Sequence, residues 1–155
     1  LRLRETTAIA FARLASLGGL QFLTSHKSHE EILRTSDSAK NAMLQFVFTL
    51  VTKTQFRVLE WGGAIGAAPL GAVPLGGSWT DQLLTDLREI FDQDDAEHIT
   101  HAARANCHYF LTLDEATILS RARKHNLRLE KLCPNLTFVS PEDLVELIEK
   151  ERAAL

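Results

Sequence analysis

The segment from Asp94 to Glu115 constrains this chain most, because it specifies a helix, a tight return and a strand that ends in acid. Asp94 suits an N-cap, Asp95 and Glu97 suit the positive end of a helix, and Ile99, Ala102 and Ala103 supply an apolar stripe. Asn106, Cys107 and His108 end that helix, and Tyr109, Phe110, Leu111 and Thr112 have the composition of a strand. A helix over 95–106 rises about 18 Å. A strand over 108–113 returns over roughly 20 Å. Asp95 and Asp114 therefore finish at similar height. Asp95 also shares the face of Ile99 and Ala102, so it points toward the sheet. Two carboxylates converge at the carboxyl edge of a strand, where open α/β folds place their ligands. Each acid alone has an ordinary explanation as a helix-start residue. Their convergence favours a functional one.

The rest of the chain alternates in the same way. Residues 5–17 form a helix with a broad apolar face (Ala8, Ile9, Phe11, Ala12, Leu14, Leu17), stopped by Gly18 and Gly19. Residues 20–24 read as a strand, and Ser25 begins a helix carrying Glu30, Glu31, Ile32 and Leu33. A further helix near 38–51 buries Met43, Val47, Leu50 and Val51, and 55–59 reads as a second strand. Helices follow over 80–91, with Leu83, Leu84, Leu87, Ile90 and Phe91 inward, and over 115–125. Residues 136–139 form a last strand. Ser140-Pro141-Glu142-Asp143 then starts a helix with an N-cap, Pro at its first position and acids in its first turn, and Leu144, Leu147 and Ile148 face inward. Strands separated by helices imply a parallel sheet covered on both faces.

Residues 61–80 carry no charge and hold six glycines and two prolines. They read as a long loop. Pro69, Pro74 and the glycines exclude a membrane helix, and the absence of Gly-Lys-Ser/Thr excludes a phosphate-cradling P-loop. A loop of this length often serves as a lid or a partner surface.

At 155 residues a single domain with a real core is expected. A net charge of −3 argues against a protein that coats polyanions, but it admits a nuclease whose acidic centre offsets a basic rim. Cys107 and Cys133 are too few for a disulfide framework, so reduced thiols in a cytoplasm are expected. Cys107 reads as a small buried hydrophobe. His98 and His101, like His26 and His29, are three apart and could bind zinc, but no nearby cysteine or third histidine completes either site.

Asp95-Ala96-Glu97-His98-Ile99 and Phe110-Leu111-Thr112-Leu113-Asp114 resemble the two acidic segments of PIN-domain ribonucleases, including VapC-type toxins. The likeness covers about the last 60 residues well and 25–32 loosely. It implies a PIN-like α/β fold, a three-layer α/β/α sandwich around a central parallel sheet, as one domain over 1–155. It also implies an endoribonuclease that uses Mg²⁺ or Mn²⁺, with Glu31, Asp95 and Asp114 as metal-binding, catalytic acids. Glu31 is preferred to Glu30 because Ile32 follows it; periodicity alone does not separate the two. Thr112 would order the turn before Asp114. The family opens with a strand ending in an aspartate-containing motif, and that strand is expected upstream of Leu1.

Such clustered carboxylates repel one another, and a divalent cation resolves the conflict. A bound ion can polarise a phosphodiester and supply hydroxide for in-line attack, with no Ser, Cys or His nucleophile. RNA is the implied substrate, and Arg121, Arg123, Lys124 and Arg128, within a basic run that includes His125 and Lys131, are its expected backbone contacts. An antitoxin protein and a homodimer are the other expected partners, with no membrane. A non-catalytic PIN-like module that binds RNA or protein is the alternative. A phosphotransfer receiver domain is remote, because no acidic pair closes a first strand.

Overall fold

Local chemistry decides where each helix starts and stops. The computed structural model describes residues 5–25, 42, 45, 49, 55–59 and 81–154. Helix α1 spans Glu5–Ser16 and buries Thr7, Ala10, Phe11 and Leu14. It ends before Gly19, whose φ of 86° needs a residue without a Cβ. Ile9, expected on the apolar face, is instead exposed. Strand β1 (Gln21–Ser25) follows and pairs in parallel with β2 (Gln55–Leu59), Gln21 lying opposite Gln55. Ala42, Gln45 and Thr49 are helical, inside the helix expected near 38–51. Met43, Val47, Leu50 and Val51 lie outside the described residues, as do the helix expected after Ser25 and the loop expected over 61–80.

Helix α2 (Gln82–Arg88) is capped by Asp81, whose carboxylate accepts from the Leu84 N–H and pairs with Arg104 at 2.6 Å. Leu87, Ile90 and Phe91 are buried from this segment, and Leu83 and Leu84 are half-buried. Helix α3 spans Gln93–Arg104, two residues ahead of expectation. Its N-cap is Asp92, whose side chain accepts from the Asp95 N–H at 3.0 Å, and Asp94 sits inside the first turn. Three closely spaced aspartates can all cap, and Phe91 decides among them. It precedes the cap and shares a core cluster with Ala96 in the first turns, as a hydrophobic staple requires.

The other end of α3 closes on Asn106, at a φ of 54°. The Asn106 N–H donates to the Ala103 carbonyl at 3.1 Å and the Cys107 N–H to the Ala102 carbonyl at 3.0 Å, which is a Schellman closure. The chain reverses within a few residues into β3 (Tyr109–Leu111). Beyond β3 the single helix expected over 115–125 is broken. Residues Glu115–Leu119 form a wide π-type turn, in which the Leu119 N–H reaches the Asp114 carbonyl at 3.0 Å. Helix α4 (Ser120–Lys124) continues from it, and α5 (Asn126–Leu132) restarts after His125. Strand β4 (Thr137–Val139) then pairs with β3 in parallel, Tyr109 opposite Thr137. Last comes α6 (Pro141–Ala153), capped by the Ser140 hydroxyl on the Asp143 N–H at 3.1 Å.

The described fold is thus mixed helix and strand with parallel pairing. Side-chain alternation divides β3 and β4 between two apolar clusters. Phe110 and Phe138 face one, whose buried members include Leu87, Ile99, Ile118 and Leu129. Tyr109, Leu111 and Val139 face the other, with Leu14 of α1, Phe22 of β1 and Leu144 and Ile148 of α6. Polar contacts stitch α1 to α6: the Thr7 hydroxyl donates to Glu142 at 2.5 Å, and Arg13 pairs with Glu149 at 2.5 Å.

Ile99 is fully buried, so Ile99→Ala is expected to lower unfolding free energy by about 2–5 kcal/mol in urea titrations. Leu127, 71% exposed, is the control: Leu127→Ala should change stability by no more than about 0.5 kcal/mol.

Candidate functional site

The short return at Asn106 places the beginning of α3 and the end of β3 at one rim. Asp95, third residue of α3, is half-buried there. Asp114 follows β3 and caps the wide turn after it. The fold brings these two carboxylates close enough to repel. Burial, the Asp92 charge and the Asp114 charge, in that order, push the Asp95 carboxyl from 3.8 to about 6, and a side-chain hydrogen bond to Asp92 adds to this. The charge of His98, one turn along the helix, acts weakly the other way.

Asp114 has the opposite fate. Partial burial would raise its carboxyl, but the Thr117 hydroxyl and the Thr117, Ile118 and Ala116 N–H groups outweigh burial and hold it below the ordinary carboxylate range. The Thr117 N–H donates to Oδ1 at 2.8 Å and its hydroxyl to Oδ2 at 2.5 Å. Behind it, the Asp114 N–H donates to Thr112 Oγ1 at 3.1 Å, so the Thr112 hydroxyl holds the turn that presents the acid. Two acids at one rim thus differ: one is held as an anion, and the other keeps its proton up to about pH 6.

Glu31 and Glu30 lie outside the described residues, as do His26 and His29. Among the described residues no three His, Cys, Asp or Glu side chains gather as a metal-ligand set. The donor chemistry of Asp95 and Asp114 nevertheless fits a hard cation. Both are oxygen donors, and the unfavourable charge of Asp114 at Asp95 is what a divalent ion at this rim would relieve.

Arg121, half-buried, and the exposed Arg123 and Lys124 lie on α4, directly after the turn that Asp114 caps. Arg128, also exposed, has its charge engaged by Glu89 at 2.5 Å. Of the two histidines on α3, His101 is buried and His98 is half-buried beside the acidic rim. Cys107 and Cys133 line a hollow of about 200 Å³ with Leu132 and Leu136, and burial pushes both thiols up. Cys107 precedes β3 and Asp114 follows it, so the hollow lies at the strand's other end.

Two residues at the rim went unread in the sequence. Asp92 was visible in principle, because Asp92-x-x-Asp95 has the spacing of a cap and the third residue of its helix. Thr117, three residues past Asp114, carries the same spacing. No protein-family model, curated protein or solved structure significantly matches the chain. Among the described residues no helix is long and apolar enough to cross a membrane.

The sign of the Asp95 shift gives a pH test. A carboxyl raised in the folded state contributes stability below its unfolded value of 3.8 and loses it as pH rises through about 6. Asn mimics the protonated acid and still donates to Asp92. In chelator, Asp95→Asn is expected to melt above the wild type at pH 7.5, by roughly 2–4 °C for each kcal/mol of repulsion relieved. The two curves should converge near pH 4, as calorimetry would show.

Proposed function

We propose that this chain is a metal-dependent endoribonuclease of the PIN class, in which Glu31, Asp95 and Asp114 hold Mg²⁺ or Mn²⁺. The observation that carries the reading is the nearness of Asp95, at the start of α3, to Asp114, after β3, such that the Asp114 charge contributes to raising the Asp95 carboxyl. Among the described residues the parallel strands form two separate two-stranded sheets. Their parallel pairing, with Phe110 and Leu111 divided between opposite clusters, is compatible with the three-layer α/β/α sandwich around a central parallel sheet that belongs to this reading. RNA as substrate, an antitoxin protein or a second copy as partner, and a cytoplasmic setting belong to the same reading.

The side chains would divide the work. Asp114, held by Thr117 and Thr112, offers a fixed carboxylate. Asp95 gives up its proton when a cation arrives, which makes binding tighter as pH rises through about 6. A divalent ion held there would supply Lewis acidity to the phosphodiester and an activated water. Arg121, Arg123 and Lys124 would contact the RNA backbone next to the rim, a sequence-independent attraction that weakens with salt. Arg128 contributes less, because Glu89 already compensates it.

Labelled RNA incubated with the chelator-treated protein should remain intact, then be cleaved on adding millimolar Mg²⁺ or Mn²⁺. Asp114→Asn should slow that cleavage by at least roughly 100-fold. RNA binding without cleavage, insensitive to the ion, would favour the alternative of a non-catalytic RNA-binding module. The absence of both binding and cleavage would sink the reading.

A further inference from the structure

Pairing of β3 with β4 brings two thiols from separate segments to one end of the strands. Tyr109 lies opposite Thr137, and the Thr137 N–H donates to the His108 carbonyl at 2.9 Å. Cys107 stands immediately before His108. Cys133 is further from its strand, but the Leu136 N–H donates to the Cys133 carbonyl at 3.0 Å. That turn, through Pro134 and Asn135, folds Cys133 back beside the strand starts. Both cysteines line the hollow of about 200 Å³ there, and neither is in a disulfide. Leu132 and Leu136 give the hollow apolar walls, while the exposed Asn106 and Asn135 leave it open to solvent.

The lining selects the class of ligand. Among the described residues that form it, Arg104 alone is charged, and Asp81 compensates that charge at 2.6 Å. With no carboxylate in the lining, a hard cation such as Mg²⁺ finds no anionic oxygen. Zn²⁺ takes four ligands, and the described lining supplies two sulfurs and no histidine. A soft monovalent cation is satisfied by two thiolates, and sulfur ligands select Cu(I). We propose that Cys107 and Cys133 form a two-sulfur site for a soft monovalent cation of the Cu(I) kind. The ion bonds to both sulfurs, the two thiol protons leave to solvent, and no electron is transferred. Burial pushes both thiols up, so each carries its proton at neutral pH until the ion displaces it. This site lies at the opposite end of β3 from Asp114, and it stands whether or not the acidic rim binds a metal.

The experiment titrates Cu(I), kept reduced by ascorbate under argon, into the full chain against a coloured Cu(I) chelator, with circular dichroism to confirm folding. The expected result is one ion bound per chain with release of two protons, so that affinity rises about 100-fold per pH unit around neutrality. Cys107→Ser and Cys133→Ala should each bind at least roughly 100-fold more weakly than the wild type. A wild type that takes no Cu(I) from the chelator overturns the proposal. Wild-type affinity in either folded variant overturns it as well, because a two-sulfur site does not survive the loss of one sulfur. If Cys133→Ala loses helix content, the wild-type proton count and Cys107→Ser decide. Release of a single proton per ion, or undiminished binding by Cys107→Ser, then counts against the site.

Discussion

Burial of one face of α3 is the constraint on which the rest of the described structure depends. Ala96, Ile99 and Thr100 are buried without remainder, and the Thr100 hydroxyl satisfies itself on the Ala96 carbonyl at 2.7 Å. At roughly 25 cal/mol per Å² of apolar surface, that face holds the helix in one rotational setting. Asp95 lies one turn before Ile99 on the same side, so it has no freedom to face away from the rim. The Schellman closure at Asn106 then makes the return into β3 short. Helix start and strand end meet as a consequence of packing, with no attraction between the acids themselves.

That meeting works against the stability of the fold, which is informative. A surface helix gains nothing from a half-buried carboxylate in the first turn that must also tolerate Asp92 and Asp114 nearby. Repulsion left in place by the fold is a common mark of a binding or catalytic centre, where stability is given up for function. The asymmetry between the two acids strengthens the point. Thr117 and Thr112 organise Asp114 from within its own segment, whereas Asp95 is set by the core behind it.

Much of the frame was legible from residues alone. The strand over 55–59 and the Ser140-Pro141 helix start occur where composition and capping chemistry put them. The N-cap of α3 was misread because Asp92, Asp94 and Asp95 are equivalent as local signals. Only the tertiary burial of Phe91 against Ala96 chooses Asp92. The interruption of the helix after β3 was likewise not legible, since nothing in Glu115-Ala116-Thr117-Ile118-Leu119 breaks a helical pattern. There the turn widens while Ile118 and Leu119 remain buried. Convergence of Asp95 and Asp114 came from rise per residue and face alone. The contribution of Thr117 did not, because a hydroxyl's partner is a matter of rotamer rather than of pattern.

The seam between α1 and α6 has a consequence for how the protein is made. Thr7 and its acceptor Glu142 are 135 residues apart in the chain. At ribosomal speeds of about 5–20 residues per second, α1 waits on the order of ten seconds for the helix that covers it. Throughout that interval Leu14, which shares a cluster with Leu144 and Ile148 of that helix, is without those partners on a nascent polypeptide. Chaperone demand during translation is therefore expected to be set by α1, and not by the pairing of Asp95 with Asp114, which are close in sequence.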